Sequence, residues 1–480
     1  MGKKKKNKED VLVNIIGSNA TNVTGSSTRI DFLNKHYLIE CGIVQDGTML
    51  NNYTINLNLV NSINTEELEC IFLFHAHADH SALIPALINK GFKGKIYCTR
   101  ATAEICYHLF MDSAFLMDKE AEVISKKKGY KVHPLYEEKD VTNTMKLIQE
   151  CEYDKLYEVN ENVSFKLLKN SHIVGASQGE LYSKTPSNKV KKILYTSDLG
   201  NSVNKKPFVV DTEYCKTANL VLIESTYGKK LKTTTKSDRQ NDINLIKELI
   251  DNIILGNKGR IVMPSFSLDR TQHLLVILYD IITNNDRYKD IPIIVDSNLS
   301  MNITNAYKKI LQGDDLELIR KVTEWKNVTF IKDIKECKAC IYDDTPKIVL
   351  SASGFIEGGH SQLYAQDSLP NSRDAILFCG YASPNSVAGR IRNPKTKSVR
   401  ISNKVCRKAC RIESLKTFSS HAQHNELIKY IKMINTDKIV LIHGDKECKE
   451  ELKNDANEEL RNIGKTTTIV CSEKNMILKV

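Results

Sequence analysis

The chain predicts an α/β protein with largely parallel sheets, and three observations carry that prediction. Short apolar runs alternate with amphipathic stretches through the middle of the chain, the rhythm of strand–helix–strand units. Several of these runs are followed at once by a histidine or an aspartate, and in open α/β arrangements sites gather at the carboxyl ends of strands. At 480 residues the chain is too long for one simple core, so two or three folded units are expected.

Taken in order, Met1 to Asp10 is a basic tail with five lysines in its first eight residues. Val11 to Ile43 alternates apolar runs with Gly/Ser/Asn-rich turns, and Tyr37-Leu38-Ile39 reads as a strand delivering Glu40 to a loop. Asn51 to Glu69 reads as a looser link into the strand Cys70-Ile71-Phe72-Leu73-Phe74, with Ser81 beyond it as an N-cap. Ala101 to Val141 turns helical. Ser164 to Leu168, Lys191 to Thr196 and Ala218 to Ile223 are strands that run into His172, Asp198 and Glu224.

The middle of the chain changes rhythm. Ile243, Ile246, Leu249, Ile250, Ile253 and Ile254 recur at helical spacing, with Gly256 as a C-cap. A strand at Arg260 to Pro264, a helix opening near Ser267, and strands at Ile291 to Val295, Lys347 to Leu350 and Ala375 to Phe378 follow. The last apolar run, Lys438 to Ile442, ends at His443.

Composition excludes several classes. With 41% hydrophobic and 26% charged residues the chain is an ordinary globular protein. No apolar run approaches the ~18–20 residues that span a bilayer, and Val11 to Ile16 is too short for a secretory signal. Thirteen cysteines, an odd number and scattered, predict reduced thiols in a cytoplasmic protein. Cys337-x-x-Cys340 and Cys406-x-x-x-Cys410 offer the ligand types of a structural zinc, but the pairs lie far apart and buried or incidental thiols are the expected reading. Net charge of +11 fits a polyanionic partner such as nucleic acid.

The chemistry concentrates in His75-Ala76-His77-Ala78-Asp79-His80. Four metal-ligand side chains fall within six positions, spaced by alanines too small to obstruct them. Imidazole nitrogen with carboxylate oxygen suits zinc better than magnesium or calcium, which favour all-oxygen shells. Histidines at 36, 108, 133, 273 and 360 fall in no comparable pattern and read as structural or exposed.

As a set, these motifs resemble the metallo-β-lactamase-fold hydrolases, whose pattern is His-x-His-x-Asp-His with a later His, an Asp and a last His. More narrowly the chain resembles the β-CASP nucleases, the RNA-processing branch that includes RNase J and the pre-mRNA 3′-end cleavage endonuclease. Motif A resembles Glu224 in Ile223-Glu224-Ser225-Thr226-Tyr227-Gly228, motif B His421 in Phe418-Ser419-Ser420-His421, and motif C His443 in Leu441-Ile442-His443-Gly444. Arg270-Thr271-Gln272, Asp296-Ser297, Ser351-Ala352-Ser353-Gly354, Gly380-Tyr381 and Gly389-Arg390 match the middle-domain hallmarks in order.

The resemblance implies an αββα metallo-β-lactamase sandwich with an inserted β-CASP α/β domain built on a mostly parallel sheet. The expected boundaries are a tail at 1–10, the first part of the sandwich at 11–207, the insert at 208–412 and the return at 413–480. It implies two zinc ions: His75, His77 and His172 would hold one, Asp79, His80 and His443 the other, with Asp198 bridging. Asp79, Glu224 and His421 are the catalytic residues it implies, His421 as proton donor to the leaving oxygen and Glu224 as its partner. Ser351, Ser353, Gly354 and Arg390 are candidate substrate contacts. The family usually carries Asp at motif 1, where this chain has Glu40.

The expected function is a zinc-dependent ribonuclease hydrolysing phosphodiester bonds of single-stranded RNA, endonucleolytically or from the 5′ end, in a cleft between the two domains. A homodimer or a processing-complex partner would supply specificity. A DNA nuclease of the same superfamily is the alternative, against which His443 argues. A non-nuclease metallohydrolase would lack the inserted domain, and a non-catalytic RNA-processing subunit would have lost ligands that are all present here.

Overall fold

The computed structural model describes residues 9–45, 47–230, 233–380 and 382–480. The lysine tail through Lys8, and Tyr381 of the Gly380-Tyr381 pair, lie outside the described residues. The chain forms two units. One takes in the chain up to Ser202, Val209–Thr233 and Ser420–Val480; the other is Val203–Phe208 with Thr234–Ser419.

The first unit is built on two seven-stranded sheets. One runs, edge to edge, Ile477–Lys479, Leu12–Ile15, Thr28–Phe32, Lys35–Ile39, Leu68–Phe72, Lys95–Thr99 and Ile148–Cys151. Its first strands pair antiparallel and its last four parallel. The other runs Thr468–Cys471, Lys438–Ile442, Leu220–Glu224, Val190–Tyr195, Ser177–Lys184, Val163–Lys169 and Leu156–Asn160. In it the first four strands are parallel and the rest antiparallel.

The inner faces of the two sheets share one core. Val13, Ile30 and Phe72 come from the first sheet; Phe165, Leu167, Ile193, Tyr195, Leu222 and Val440 come from the second. Phe72 and Phe165 meet edge-on across it, with ring centroids 4.9 Å apart, and burying such a ring is worth roughly 1.5–3 kcal/mol. On the outer face of the second sheet, Leu194, Val221, Ile223 and Leu441 pack under the helices His424–Met433 and Lys446–Asn462. The long helix Arg100–Lys128 covers the first sheet. Helix, sheet, sheet, helix is the metallo-β-lactamase sandwich that the motifs implied.

The second unit holds a six-stranded sheet in the order Val328–Ile331, Ile293–Asp296, Ile348–Ser351, Ile261–Pro264, Ala375–Phe378 and Arg411–Ser414. Every pairing in it is parallel. Strands buried on both faces read as continuous apolar runs, which is why Ile-Val-Met-Pro and Ala-Ile-Leu-Phe stood out in the sequence.

Four local readings are corrected. Met49–Ser62, within the stretch read as a loose link, is a helix capped by the Thr48 hydroxyl; its run of asparagines is poor helix material, and it buries only Asn56 and Val60. Ser81 does not cap a helix. His77 stands at the N-cap of the single turn Ala78–Ser81, and the Ser81 hydroxyl donates back to Ala76 O. The helix Lys236–Leu249 runs on as a π-helical turn through Gly256, so Asn257 is its cap. The next helix opens at Arg270, later than Ser267, behind Asp269 at φ +67°.

Candidate metal centre

Six strands of the first unit end at residues of one cluster. Lys35–Ile39 delivers Glu40; Leu68–Phe72 leads to His75; Val163–Lys169 leads to His172; Val190–Tyr195 leads to Asp198; Leu220–Glu224 ends in Glu224; and Lys438–Ile442 leads to His443. Because the strands preceding Asp198, Glu224 and His443 are parallel neighbours, their carboxyl ends lie on one edge. Residues 368 positions apart, 75 and 443, are thereby brought to one centre.

Two sets of donor atoms form there, His75, His77, His172 with Asp198, and Asp79, His80, His443 with the same Asp198. Asp198 Oδ2 is 3.7 Å from His75 Nε2, 3.6 Å from His172 Nε2 and 3.3 Å from His80 Nε2. Asp198 Oδ1 is 3.3 Å from His443 Nδ1, and Asp79 Oδ2 lies 3.4 Å from His443 Nε2. His77 Nδ1 and His172 Nε2 face each other at 3.1 Å. One carboxylate therefore stands between two imidazole-rich sets.

The donors are aimed by the residues behind them. Ser197 Oγ donates to Glu40 Oε1 at 2.6 Å, so at His75 Nδ1, 3.0 Å away, Ser197 accepts. His75 must then carry its proton on Nδ1, which leaves the Nε2 lone pair facing the centre. Glu40 Oε2 accepts from His80 Nδ1 at 2.7 Å and from the Tyr195 hydroxyl at 3.1 Å, directing His80 Nε2 inward in the same way. Thr226 Oγ1 is 3.0 Å from His443 Nδ1 and donates to His443 O at 3.2 Å, which turns the third imidazole. One buried carboxylate, Glu40, thus supports a ligand in each set, its two oxygens meeting Ser197 and His80. Replacing Glu40 with Ala is expected to lower metal affinity about 10–100-fold, measured as metal retained after dialysis against graded chelator.

The backbone fits the same purpose. Glu40, Ser197 and His443 all adopt left-handed conformations, at φ +59°, +50° and +51°. Such conformations cost a non-glycine residue roughly 1 kcal/mol or more, and the surrounding hydrogen bonds hold them. The ligand turn is pinned from outside, since Ser26, Cys41 and Ile43 amides donate to the carbonyls of Asp79, His80 and Ala78 at 2.8–3.0 Å. Gly42 makes this approach possible, because a Cβ there would lie 1.6 Å from Asp79 O. A Gly42→Ala substitution is expected to lower stability by about 1–3 kcal/mol or more, read as a fall in Tm, and to loosen metal binding together with it.

The electrostatics suit cations. Burial pushes His75 down, aided by His80, and burial pushes His172 down, aided by His421, so both are held neutral as ligands must be. Burial opposes charge on Asp198, but His443, His80 and His421 outweigh it and hold the carboxyl well below its usual range. Among the described residues His75 Nε2 is buried with no hydrogen-bond partner, an arrangement that costs about 1–3 kcal/mol unless something occupies the lone pair. Imidazoles and carboxylates converging on a shared oxygen fit a pair of divalent ions of zinc's type.

Beside the two sets lies a polar pair. His421 Nδ1 is 3.2 Å from Glu224 Oε1, and its ring lies 4.7 Å from the His172 ring. Glu224 is fixed by backbone, accepting from Leu199 N at 2.7 Å and Thr226 N at 3.2 Å. The strip around His421 is laced to the loop after Asp198 through Asn201 N to Ser420 O and Ala422 N to Leu199 O. His77, Asp79 and His421 are the part-exposed members, with the Asp79 and His421 side chains 25% and 21% accessible, so they mark the open side of the cluster.

Ser351, Ser353, Gly354 and Arg390 all belong to the second unit. Ser351 is buried, its hydroxyl donating to Asp296 O; Ser353 and Gly354 stand in the following loop, part-buried; Arg390 is exposed on the helix Val387–Arg392. Residues that sequence reasoning did not single out are Ser197, Tyr195, Thr226 and Asn170, whose side chain donates to Asp198 O at 2.7 Å. Their signal was position alone, each within three residues of a motif residue.

The family model described as Beta-Casp domain matches residues 271–391, and that of the Zn-dependent metallo-hydrolase RNA specificity domain matches residues 406–469. The chain is 26% identical over 414 residues to an RNase J-like protein of Methanocaldococcus jannaschii, covering 85% of this chain and 87% of that one. It is 24% identical over 438 residues to Ribonuclease TTHA0252 of Thermus thermophilus, covering 89% and 92%. It is 25% identical over 468 residues to Endoribonuclease ysh1 of Schizosaccharomyces pombe, covering 94% of this chain but 58% of that longer protein. A crystal structure of a protein of unknown function from Enterococcus faecalis V583 shares the fold, with a TM-score of 0.55 at 14% identity over 98% of this chain and all of the other. The chain thus carries a Beta-Casp domain followed by the RNA specificity domain of Zn-dependent metallo-hydrolases, and over most of its length it is similar to RNase J-like and endoribonuclease relatives.

Proposed function

We propose that the protein is a zinc-dependent ribonuclease that hydrolyses phosphodiester bonds of single-stranded RNA in RNA processing or decay. The observation that carries this reading is the full ligand set around Asp198 standing next to the Glu224–His421 pair. Metal sites of the fold serve many reactions; a proton-exchanging imidazole beside the metals is what suits a phosphodiester, whose leaving oxygen must be protonated. The relatives named as ribonucleases support the choice of RNA.

His75, His77 and His172 would hold one zinc, Asp79, His80 and His443 the second, and Asp198 both. When bound, the pair supplies Lewis-acid charge to phosphate oxygens and makes water acidic enough to attack near neutral pH. Glu40, Ser197 and Thr226 keep the imidazole lone pairs aimed inward, so little reorganisation is needed as charge develops. Glu224 accepts from His421 Nδ1 and holds the ring; it favours the protonated imidazole, with Asp198 adding to it against burial. His421 then gives its other proton, on Nε2, to the departing oxygen.

Among the described residues the thirteen cysteines form no disulfide, which supports a reducing compartment, with the cytoplasm as our reading, and no helix is long and apolar enough to cross a membrane. A second copy or a processing-complex partner would supply specificity for particular transcripts. The test is a time course on end-labelled RNA and DNA oligonucleotides of one sequence, with metal-loaded and metal-stripped protein. Metal-dependent cleavage of RNA is expected, and the product ladder separates internal cuts from stepwise removal at the 5′ end. Equal cleavage of DNA, or intact RNA with metal present, would reject the reading.

A further inference from the structure

The Cys-x-x-Cys pair of the second unit takes no part in the centre described above, and neither does His360. The structure brings them together. Asp296 ends the strand Ile293–Asp296 with its side chain buried. Its Oδ1 lies 2.6 Å from His360 Nδ1, and its Oδ2 accepts from the Tyr364 hydroxyl at 2.8 Å. Cys337, fully buried on the helix Ile334–Tyr342, sets its thiol against the same carboxylate. The donor atoms of Asp296, Cys337 and His360 all lie within 4.8 Å of one another. Cys340 follows one helical turn after Cys337, on the same face, and its thiol is within hydrogen-bonding reach of Tyr364. Cys406 and Cys410, the partners considered from sequence, instead join no ligand cluster among the described residues and pack in the apolar core.

We propose that Asp296, Cys337 and His360, with Cys340 as the fourth ligand, form a structural zinc site in the second unit. Thiolate, imidazole and carboxylate together select zinc over the hard cations of the cell. A tetrahedral ion draws such atoms to separations of roughly 3.3–3.8 Å, and the donor atoms of Asp296, Cys337 and His360 already stand within 4.8 Å of one another. Burial and the neighbouring Asp296 push the Cys337 thiol up, so without a cation the sulfur is protonated; binding releases that proton to solvent and leaves the thiolate as ligand. Ser351 pairs directly with Asp296 across the sheet, and His360 closes the loop that begins at Ala352. The ion would therefore clamp the helix Ile334–Tyr342 to the strand end and hold the Ser353–Gly354 turn in place.

Among the described residues this is the one ligand cluster that contains a cysteine, and that gives it a private signature. Protein loaded with cobalt in place of zinc should show a sulfur-to-cobalt charge-transfer band in the near ultraviolet, which the His/Asp centre cannot produce. Cys337→Ser is expected to abolish the band and to bind one metal equivalent fewer than wild type; His360→Ala is expected to lose the same equivalent. Wild-type protein that takes up cobalt without the band, or Cys337→Ser protein with unchanged metal content, would overturn the proposal. Should Cys337→Ser fail to fold, the wild-type spectrum decides alone, and it does so whether or not the protein cleaves RNA.

Discussion

Asp198→Ala is expected to remove bound metal and bring RNA cleavage to background. Asp198 belongs to both donor sets, with oxygens 3.3–3.7 Å from four imidazoles. Alanine deletes the shared oxygen, and it also deletes the negative charge that offsets five clustered histidines. The effect should exceed that of removing a ligand from one set alone. His77→Ala, which strips only the first set, is expected to lose one metal more readily than the other while also losing activity. Metal analysis alongside single-turnover cleavage checks both variants. Asp198→Ala protein that keeps two metals would refute the shared-ligand assignment, and a cooperative unfolding transition near that of wild type would show that the loss is local.

Much of this centre was legible because the sequence states it twice. The ligands are unusual residue types in tight spacing, and each follows an apolar strand. Strand ends in a parallel arrangement share an edge, so the pattern "strand, then ligand" at 172, 198 and 443 already implied convergence. What aims the ligands was not legible. Ser197 supports His75 only because its backbone turns left-handed at φ +50°, and nothing in the letters Thr-Ser-Asp announces that turn. Thr226 meets His443 across 217 positions of sequence.

The same limit applied to the second unit. Cys337 and Cys340 invited pairing with Cys406 and Cys410 because cysteines are what the eye collects. The fold instead offers them an aspartate at a strand end and a histidine at a helix start, residue types too common to be picked out singly. Asn51 to Ser62 failed for the opposite reason: weak intrinsic propensity hid a helix that its Thr48 cap and its Asn56 contacts hold in place. In each case tertiary contacts decided what local chemistry left open.

His421→Ala is expected to separate metal binding from catalysis. The His421 ring touches the cluster, yet its strongest tie is to Glu224, 3.2 Å from Nδ1, while the nearer metal-type donor, Asp198 Oδ2, is 3.9 Å away. Neither four-residue donor set includes it. The variant should keep the wild-type metal content and Tm but lose about 10²–10⁴ in the cleavage step, the range of a missing general acid. A substrate whose leaving group needs no proton, such as a nitrophenyl phosphodiester, sharpens the test: His421→Ala should cleave it almost as well as wild type does. Equal losses on both substrates would assign His421 to holding phosphate rather than to donating a proton. Loss of metal in the variant would move it into the ligand shell. Glu224→Gln should follow His421→Ala on RNA with a smaller deficit, because the amide still accepts from Nδ1 but no longer favours the charged ring; if it matched wild type, the pair would not act together.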